Sequence, residues 1–281
     1  MAHLLHLSDL HFGAHDPVLV EAVERRIDDE KPDLVVISGD FTQRATTEQF
    51  KEACRFLTRL RDAGHEVLAV PGNHDVPLYD VLRRFLSPLT RYKRYVSDVL
   101  CPLHEVPGAS VLGINTARSA TFKGGRINQE QIESIRKTFA SIDSADLRIL
   151  VTHHPLFAQP VGEGIEPAGA IENDKLALAA IAEAGVDLLL AGHNHRASSV
   201  VSELAKGAGR ALVIQAGTAT STRVRDEQQS FNLIVTGKAR IEVMLQQWDG
   251  SQFTSGDAQR FVRTGQHWEL ASGTPVEEVA N

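Results

Sequence analysis

The chain has 281 residues, 42% hydrophobic and 23% charged, the balance of an ordinary globular protein with enough chain to bury a sizeable core. Its net charge of −7 argues against a broad basic surface for nucleic acid and leaves room only for a local patch. Cys54 and Cys101 provide neither a disulfide framework nor a zinc spacing; no apolar run is long enough to span a bilayer, and His3, His6 and Asp9 interrupt any signal sequence, so a cytoplasmic, reduced setting is expected.

In chain order, Leu4–Leu7 reads as a short buried strand ending at Ser8-Asp9-Leu10-His11. Asp16-Pro17 has the chemistry of a helix start, with Leu19, Val23 and Ile27 on one face and Pro32 as the stop. Leu34–Ile37 is a second apolar run, closed by Ser38-Gly39-Asp40. Thr46 to Gln49 offers a capping box for a helix that Gly64 closes. Val67–Val70 then stops at Pro71-Gly72-Asn73-His74-Asp75. This β-α-β-α-β alternation, apolar on both strand faces, predicts a mainly parallel sheet covered by helices.

Residues 76–100 should be helical in two pieces broken near Ser87-Pro88, with Arg83, Arg84, Arg91, Lys93 and Arg94 interleaved among aromatics. That mixture suits a solvated helix face that buries its aromatics, or an anionic surface. A hairpin turns at Pro107-Gly108, and Ile132, Ile135, Phe139 and Ile142 mark a helix. Leu147–Val151 ends at Thr152-His153-His154-Pro155. A Pro/Gly loop over residues 156–171, acidic and free of Lys and Arg, has the length of a lid. A helix over residues 173–184 leads to a strand ending at Gly192-His193-Asn194-His195, and four strand-like runs between residues 198 and 248 follow. Residues 1–250 are read as one catalytic domain and 251–281 as a partly frayed C-terminal extension.

A turn needs one polar residue, whereas Asn73, His74 and Asp75 follow one apolar strand; Asn73 reads as a metal ligand and His74 as a proton donor. Five predicted strands stop at such clusters, and strand ends converge in an α/β sheet. Residues two apart point to one side of an extended chain, so Asp9/His11 and His193/His195 each offer two ligands in one direction. Two Asp, one Asn and four His exceed a single zinc site and suit two ions bridged by a carboxylate, with Mn, Fe, Co or Zn all compatible with N/O donors.

The ordered set Asp9-Leu10-His11, Gly39-Asp40, Gly72-Asn73-His74-Asp75, His153-His154-Pro155 and Gly192-His193-Asn194-His195 resembles the calcineurin-like metallophosphoesterase superfamily. The resemblance implies two packed mixed β-sheets flanked by helices in a four-layer α/β sandwich. It implies that Asp9, His11, Asp40 and His195 hold one metal, and that Asp40 bridges to a second completed by Asn73, His153 and His193. His74 would face substrate, and a metal-activated hydroxide would attack phosphorus. Asp75, and Phe41-Thr42-Gln43-Arg44 after the bridging aspartate, set the chain apart from protein phosphatases and make it more similar to small bacterial phosphodiesterases. The expected substrates are cyclic nucleotides, glycerophosphodiesters or phospholipid headgroups, with peripheral membrane contact open. Phosphomonoesterase, nuclease and non-catalytic scaffold are the alternatives. Arg44, Asn115, Arg118 and His154 are candidate substrate contacts. The remaining histidines, among them His6, His15 and His65, are read as ordinary hydrogen-bonded residues.

Overall fold

The N-terminal alternation folds as its apolar runs require. In the computed structural model, which describes residues 1–120, 124–143, 146–156, 171, 175–203, 210–222, 227–265 and 267–271, strand β1 (Ala2–Leu7) lies parallel to β2 (Leu34–Ile37), and β2 to β3 (Val67–Ala69). Helices α1 (Pro17–Glu30) and α2 (Thr47–Asp62) make the crossovers. Asp16 accepts from Val18 N at the start of α1, and Thr46 and Gln49 cap α2 reciprocally. Lys31, left-handed at φ 46°, ends α1 one residue before Pro32.

The segment expected to be helical in two pieces over residues 76–100 forms two helices, shorter than expected, α3 (Val81–Leu86) and α4 (Thr90–Tyr95), with the break at Ser87-Pro88. The chain then builds a second sheet. The hairpin of β4 (Leu103–Val106) and β5 (Ala109–Gly113) turns through Gly108, and α5 (Gln129–Ala140) leads to β6 (Leu147–Val151). Helix α6 (Lys175–Glu183) precedes β7 (Leu188–Ala191), β8 (Ser198–Glu203) and β9 (Arg210–Gln215). The second sheet has the order β4-β5-β6-β7-β9-β8, with β5, β6, β7 and β9 parallel.

The last strands return to the first sheet. Strand β10 (Ser230–Gly237) pairs antiparallel with β1, and β11 (Arg240–Trp248), β12 (Phe253–Thr264) and β13 (His267–Leu270) follow as a meander. The stretch after residue 250, read from sequence as an extension, thus supplies two strands of the sheet. Its inward positions are few, with Phe253, Phe261 and Trp268 buried among polar neighbours, which hides the alternation.

Side-chain alternation explains the layers. Leu5, Leu7, Val35 and Ile37 face α1 and α2, packing on Val23, Phe50 and Phe56. Leu4, Leu34 and Val36 point the other way, onto Val111, Ile149 and Leu190 of the second sheet. Leu112, Leu150 and Leu189 face α5 and α6 through Ile135, Phe139 and Ile181. The central strands are therefore largely apolar on both faces because each face is covered, with His6 and Asn232 as buried polar exceptions. The result is two mixed sheets flanked by helices, the architecture the resemblance implied. The expected lid falls on residues 157–170, outside the described residues; Leu156 and Ile171 at its ends are buried, and Ile171 N donates to Pro155 O at 2.9 Å. Cys54 and Cys101 are free and half-buried.

Candidate metal centre

The polar clusters after β1, β2, β3, β6 and β7 meet at the seam between the two sheets. Among the described residues, two groups present ligand atoms within 4.8 Å of one another: Asp9, His11, Asp40 and His195, and His153, His154 and His193. The backbone reason differs from the expected one. The chain is not extended at the Asp9/His11 and His193/His195 pairs: Asp9 (φ 53°), His11 (49°), Asp40 (55°), His193 (75°) and His195 (59°) all lie in the left-handed region. Each such residue costs about 1–3 kcal/mol and persists only where surroundings enforce it.

Those surroundings are visible. Asp9 N and His11 N donate to Gly39 O and Asp40 O, both at 3.0 Å, so the turns after β1 and β2 run in step. Thr218 and Thr220 donate their hydroxyls to Asp9 O and Leu10 O, each at 2.7 Å, bracing the first turn from the segment before β10. Glycines make room for ligands. Gly39 (φ 102°) has His153 Nδ1 only 2.7 Å from where a Cβ would stand, and a Cβ on Gly72 would fall onto Asp40 Oδ1.

The donor atoms converge at ligand-to-ligand distances. His11 Nε2 and His195 Nε2 are 3.1 Å apart, and Asp9 Oδ1 lies 3.6 and 3.2 Å from them. Asn73 Oδ1 lies 3.0 Å from both His153 Nε2 and His193 Nδ1, which are 3.3 Å from each other. Asp40 Oδ2 stands between the groups, 3.8 Å from His11 Nε2 and 3.4 Å from His153 Nε2. Two ligands each about 2.1 Å from one ion are about 3.0–3.4 Å apart at tetrahedral or octahedral angles. The residues therefore fit two metal ions sharing Asp40. Second partners orient the rings: His153 Nδ1 donates to Ser38 O at 2.7 Å, which turns Nε2 inward. His193 N donates to Asp9 Oδ2 at 2.9 Å and ties the sheets together at the site.

The field prepares these donors. Burial favours protonation of Asp9 and Asp40, but the imidazoles outweigh it, His195 first at Asp9 and His153 first at Asp40, and hold both carboxyls well below the usual range. Burial, joined by the charge of His153, pushes His193 down to about 4 and His154 well below its ordinary value. His153 rises, to about 9, because Asp40 overcomes its burial.

His74 is half-buried beside the first group, edge-on to the His11 ring at 4.9 Å between centroids. Its N–H donates to Asp40 Oδ1 and its Nδ1 to Gln43 O, both at 2.8 Å, which leaves Nε2 as the uncommitted ring atom of that tautomer. Asp75 does not orient the His74 ring. Its carboxylate accepts from Phe41 N, Thr42 N and Gly72 N and from the Thr42 hydroxyl, fastening the turn after β3 to the turn after β2. Burial and the charge of Asp40 push Asp75 up to about 6 against the pull of those amides.

The candidate substrate contacts separate. Arg44 is exposed and, with His74, Gln43, Leu78 and Tyr79, lines a cavity of about 600 Å³; its guanidinium lies 5.7 Å from the centre of the Tyr79 ring. His154 is buried against His153 and His193, its Nδ1 2.8 Å from Thr116 Oγ1 and its Nε2 without a hydrogen-bond partner among the described residues. Arg118 and Asn115 are engaged by their own loop and the start of α5: Arg118 donates to Asn115 O, Ala117 O and Gln131 Oε1, and Asn115 Oδ1 accepts from Ala117 N. Sequence reasoning missed Ser38, Gln43 and Thr116 as positioning groups. Thr116 was findable, since it follows β5 as the other clusters follow their strands.

Fold and donor set define a class, the α/β proteins that hold paired divalent ions for phosphoester hydrolysis. Residues 2–197 match the family model for calcineurin-like phosphoesterases, and the chain belongs to that family, which works with a dinuclear divalent metal centre. Among solved structures, a dimetal phosphatase from Danio rerio matches with a TM-score of 0.62 at 13% identity, covering 90% of this chain and 98% of that one. A purple acid phosphatase, PPD1, from yellow lupin (Lupinus luteus) seeds matches at 0.67 and 14%, covering 94% and 54%. At these identities the likeness is one of fold. The DNA double-strand break repair protein Mre11 of Saccharolobus solfataricus is 34% identical over 90 residues, 27% of this chain and 23% of that protein. The Mre11 of Aeropyrum pernix matches equally over 22% of its length. The match thus covers less than a quarter of each of these relatives. Among the described residues, no helix is long and apolar enough to cross a membrane.

Proposed function

We propose that the protein is a dinuclear metal-dependent phosphodiesterase. Asp9, His11, Asp40 and His195 hold one ion; Asp40, Asn73, His153 and His193 hold the other. The observation that carries this reading is Asp40, whose Oδ2 reaches toward both groups, 3.8 Å from His11 and 3.4 Å from His153. The donors are nitrogen and oxygen without thiolate, which suits Mn, Fe, Co or Zn. When bound, such ions supply an activated water and neutralise charge on the phosphoryl oxygens.

The chain's own residues do the rest. His74, anchored through Nδ1, presents Nε2 to give a proton to the leaving oxygen. His154 Nε2 and Arg44 face the substrate phosphate. A diester, singly charged on its phosphate, fits a cavity that offers one arginine beside Leu78, Tyr79, Gly13 and Ala14, with space for a second ester group. Small or lipid-borne diesters are the substrates most in keeping with a chain of net charge −7. The two free cysteines suit a reducing, cytoplasmic setting. The local likeness to Mre11 favours a second reading, hydrolysis of DNA phosphodiesters.

Loading with Mn, Fe, Co and Zn separately should give two ions per chain and turnover of bis-(p-nitrophenyl) phosphate. His74→Ala should keep both ions and lose about 10²–10⁴ of that turnover. Fewer than one ion per chain with no turnover under any of the four metals would make the chain a binding scaffold instead. A panel of cyclic nucleotides, glycerophosphodiesters, phospholipid micelles, a monoester and single- and double-stranded DNA then separates the readings.

A further inference from the structure

Helix α3 is inside out. It buries an arginine, Arg84, which is 3% exposed and donates to Ser119 O at 2.7 Å and Pro77 O at 3.0 Å. It turns its apolar side chains to solvent: Leu82 and Leu86 are 72% and 74% exposed, Val81 and Phe85 63% and 61%. Tyr79, just before it, is 73% exposed. Arg84 is also the residue that a solvated amphipathic helix would place outside, so its burial commits the opposite face to the apolar residues. A contiguous apolar face of this size on a monomer marks a contact surface.

Charge indicates what lies against it. Between residues 78 and 95 stand Arg83, Arg84, Arg91, Lys93 and Arg94 against Asp80 alone, a local balance of +4 in a chain of −7. Lys93 and Arg94 are exposed, and Arg83 is partly spent on Asp80 at 3.0 Å. Exposed apolar side chains followed within a few residues by exposed cations are the composition of a segment that seats in the headgroup region of an anionic bilayer. A second copy of the chain fits less well, because a two-fold contact would set this cationic segment against itself. The face is also continuous with the cavity beside His74, since Tyr79 and its neighbour Leu78 belong to both.

We propose that the α3 segment docks the protein on anionic lipid surfaces, with Leu82, Phe85 and Leu86 entering the headgroup layer and Lys93 and Arg94 meeting lipid phosphates. The proposal does not depend on which ester is cleaved. Co-sedimentation in EDTA, with vesicles of phosphatidylcholine alone or with one third phosphatidylglycerol, tests it. The intact chain should bind the anionic vesicles, more weakly as salt rises, and leave the neutral ones unbound. The doubly substituted Leu82→Asp/Phe85→Asp protein should bind about tenfold more weakly or worse while still turning over bis-(p-nitrophenyl) phosphate, which shows that it is folded. Leu176→Asp, an acidic change on the exposed face of α6 that adds one charge against the double variant's two, should bind as the intact chain does. No binding to anionic vesicles, unchanged binding by the double variant, or equal loss in Leu176→Asp overturns the proposal. So does sedimentation velocity showing a dimer that the double variant dissociates, which would assign the face to a second copy.

Discussion

Asp40 is the residue on which the centre turns. One of its oxygens accepts from His74 N at 2.8 Å and the other looks toward His11 and His153, so a single carboxylate positions His74 and stands between the two groups. Asp40→Asn keeps the shape and the acceptor oxygen but removes the charge that both groups face. Metal analysis of that variant should find fewer than one ion per chain, and turnover should fall by about 10³ or more. Asn73→Ala should spare one ion, because Asn73 Oδ1 stands in the second group, 3.0 Å from His153 and His193. Two ions retained in Asp40→Asn would remove its bridging role. The ligand types were legible in the sequence because each stands directly after an apolar run. Their left-handed backbones were not, because what enforces them comes from other strands: Gly39 and Asp40 carbonyls for the first turn, Thr218 and Thr220 hydroxyls for its outer side.

Elements are joined at this site by buried polar groups as well as by packing. Asp75 fastens the turn after β3 to the turn after β2 through Phe41 N, Thr42 N and Gly72 N. Removing it leaves three buried amides unpaired. Asp75→Ala should therefore cost about 3 kcal/mol or more, read as a lower urea midpoint, with metal content falling in parallel. Equal stability of variant and parent would show that water replaces the carboxylate. The strands of the first 70 residues were readable since both their faces are covered and, His3 and His6 aside, they are apolar. Strands β12 and β13 were not: a mostly solvated strand with Phe253 and Phe261 as its few inward positions carries too little alternation to announce itself. The capping boxes of α2 and α5 were local, and the first was found from Thr46 and Gln49 alone.

At the scale of the whole molecule, stability should depend on His6. It sits mid-sheet in β1, opposite Val36 on one side and Asn232 on the other, with Nε2 2.9 Å from the Ser38 hydroxyl. Burial pushes its pKa from 6.5 down to about 3. Between those values the unfolded chain binds a proton that the folded chain refuses, so stability is complete above pH 6.5 and falls as pH drops toward 3. At about 1.4 kcal/mol per unit, the loss is on the order of 5 kcal/mol. Urea titrations from pH 7 to pH 4 should show a shallower decline for His6→Gln than for the parent; parallel curves would place the acid sensitivity elsewhere.

The pairing of β1 with β10, Ala2 opposite Thr236, also sets the order in which the molecule can be finished during synthesis. At about 5–20 residues per second, the partner of β1 leaves the ribosome roughly 10–50 s after β1 does. For that interval one edge of the first strand is open and Asp9 and His11 wait without Thr218, His193 or His195. The nascent chain carries half a chelating site early and completes it late. Its first ligands are thus exposed to whatever cations and chaperones the emerging chain meets before the seam closes.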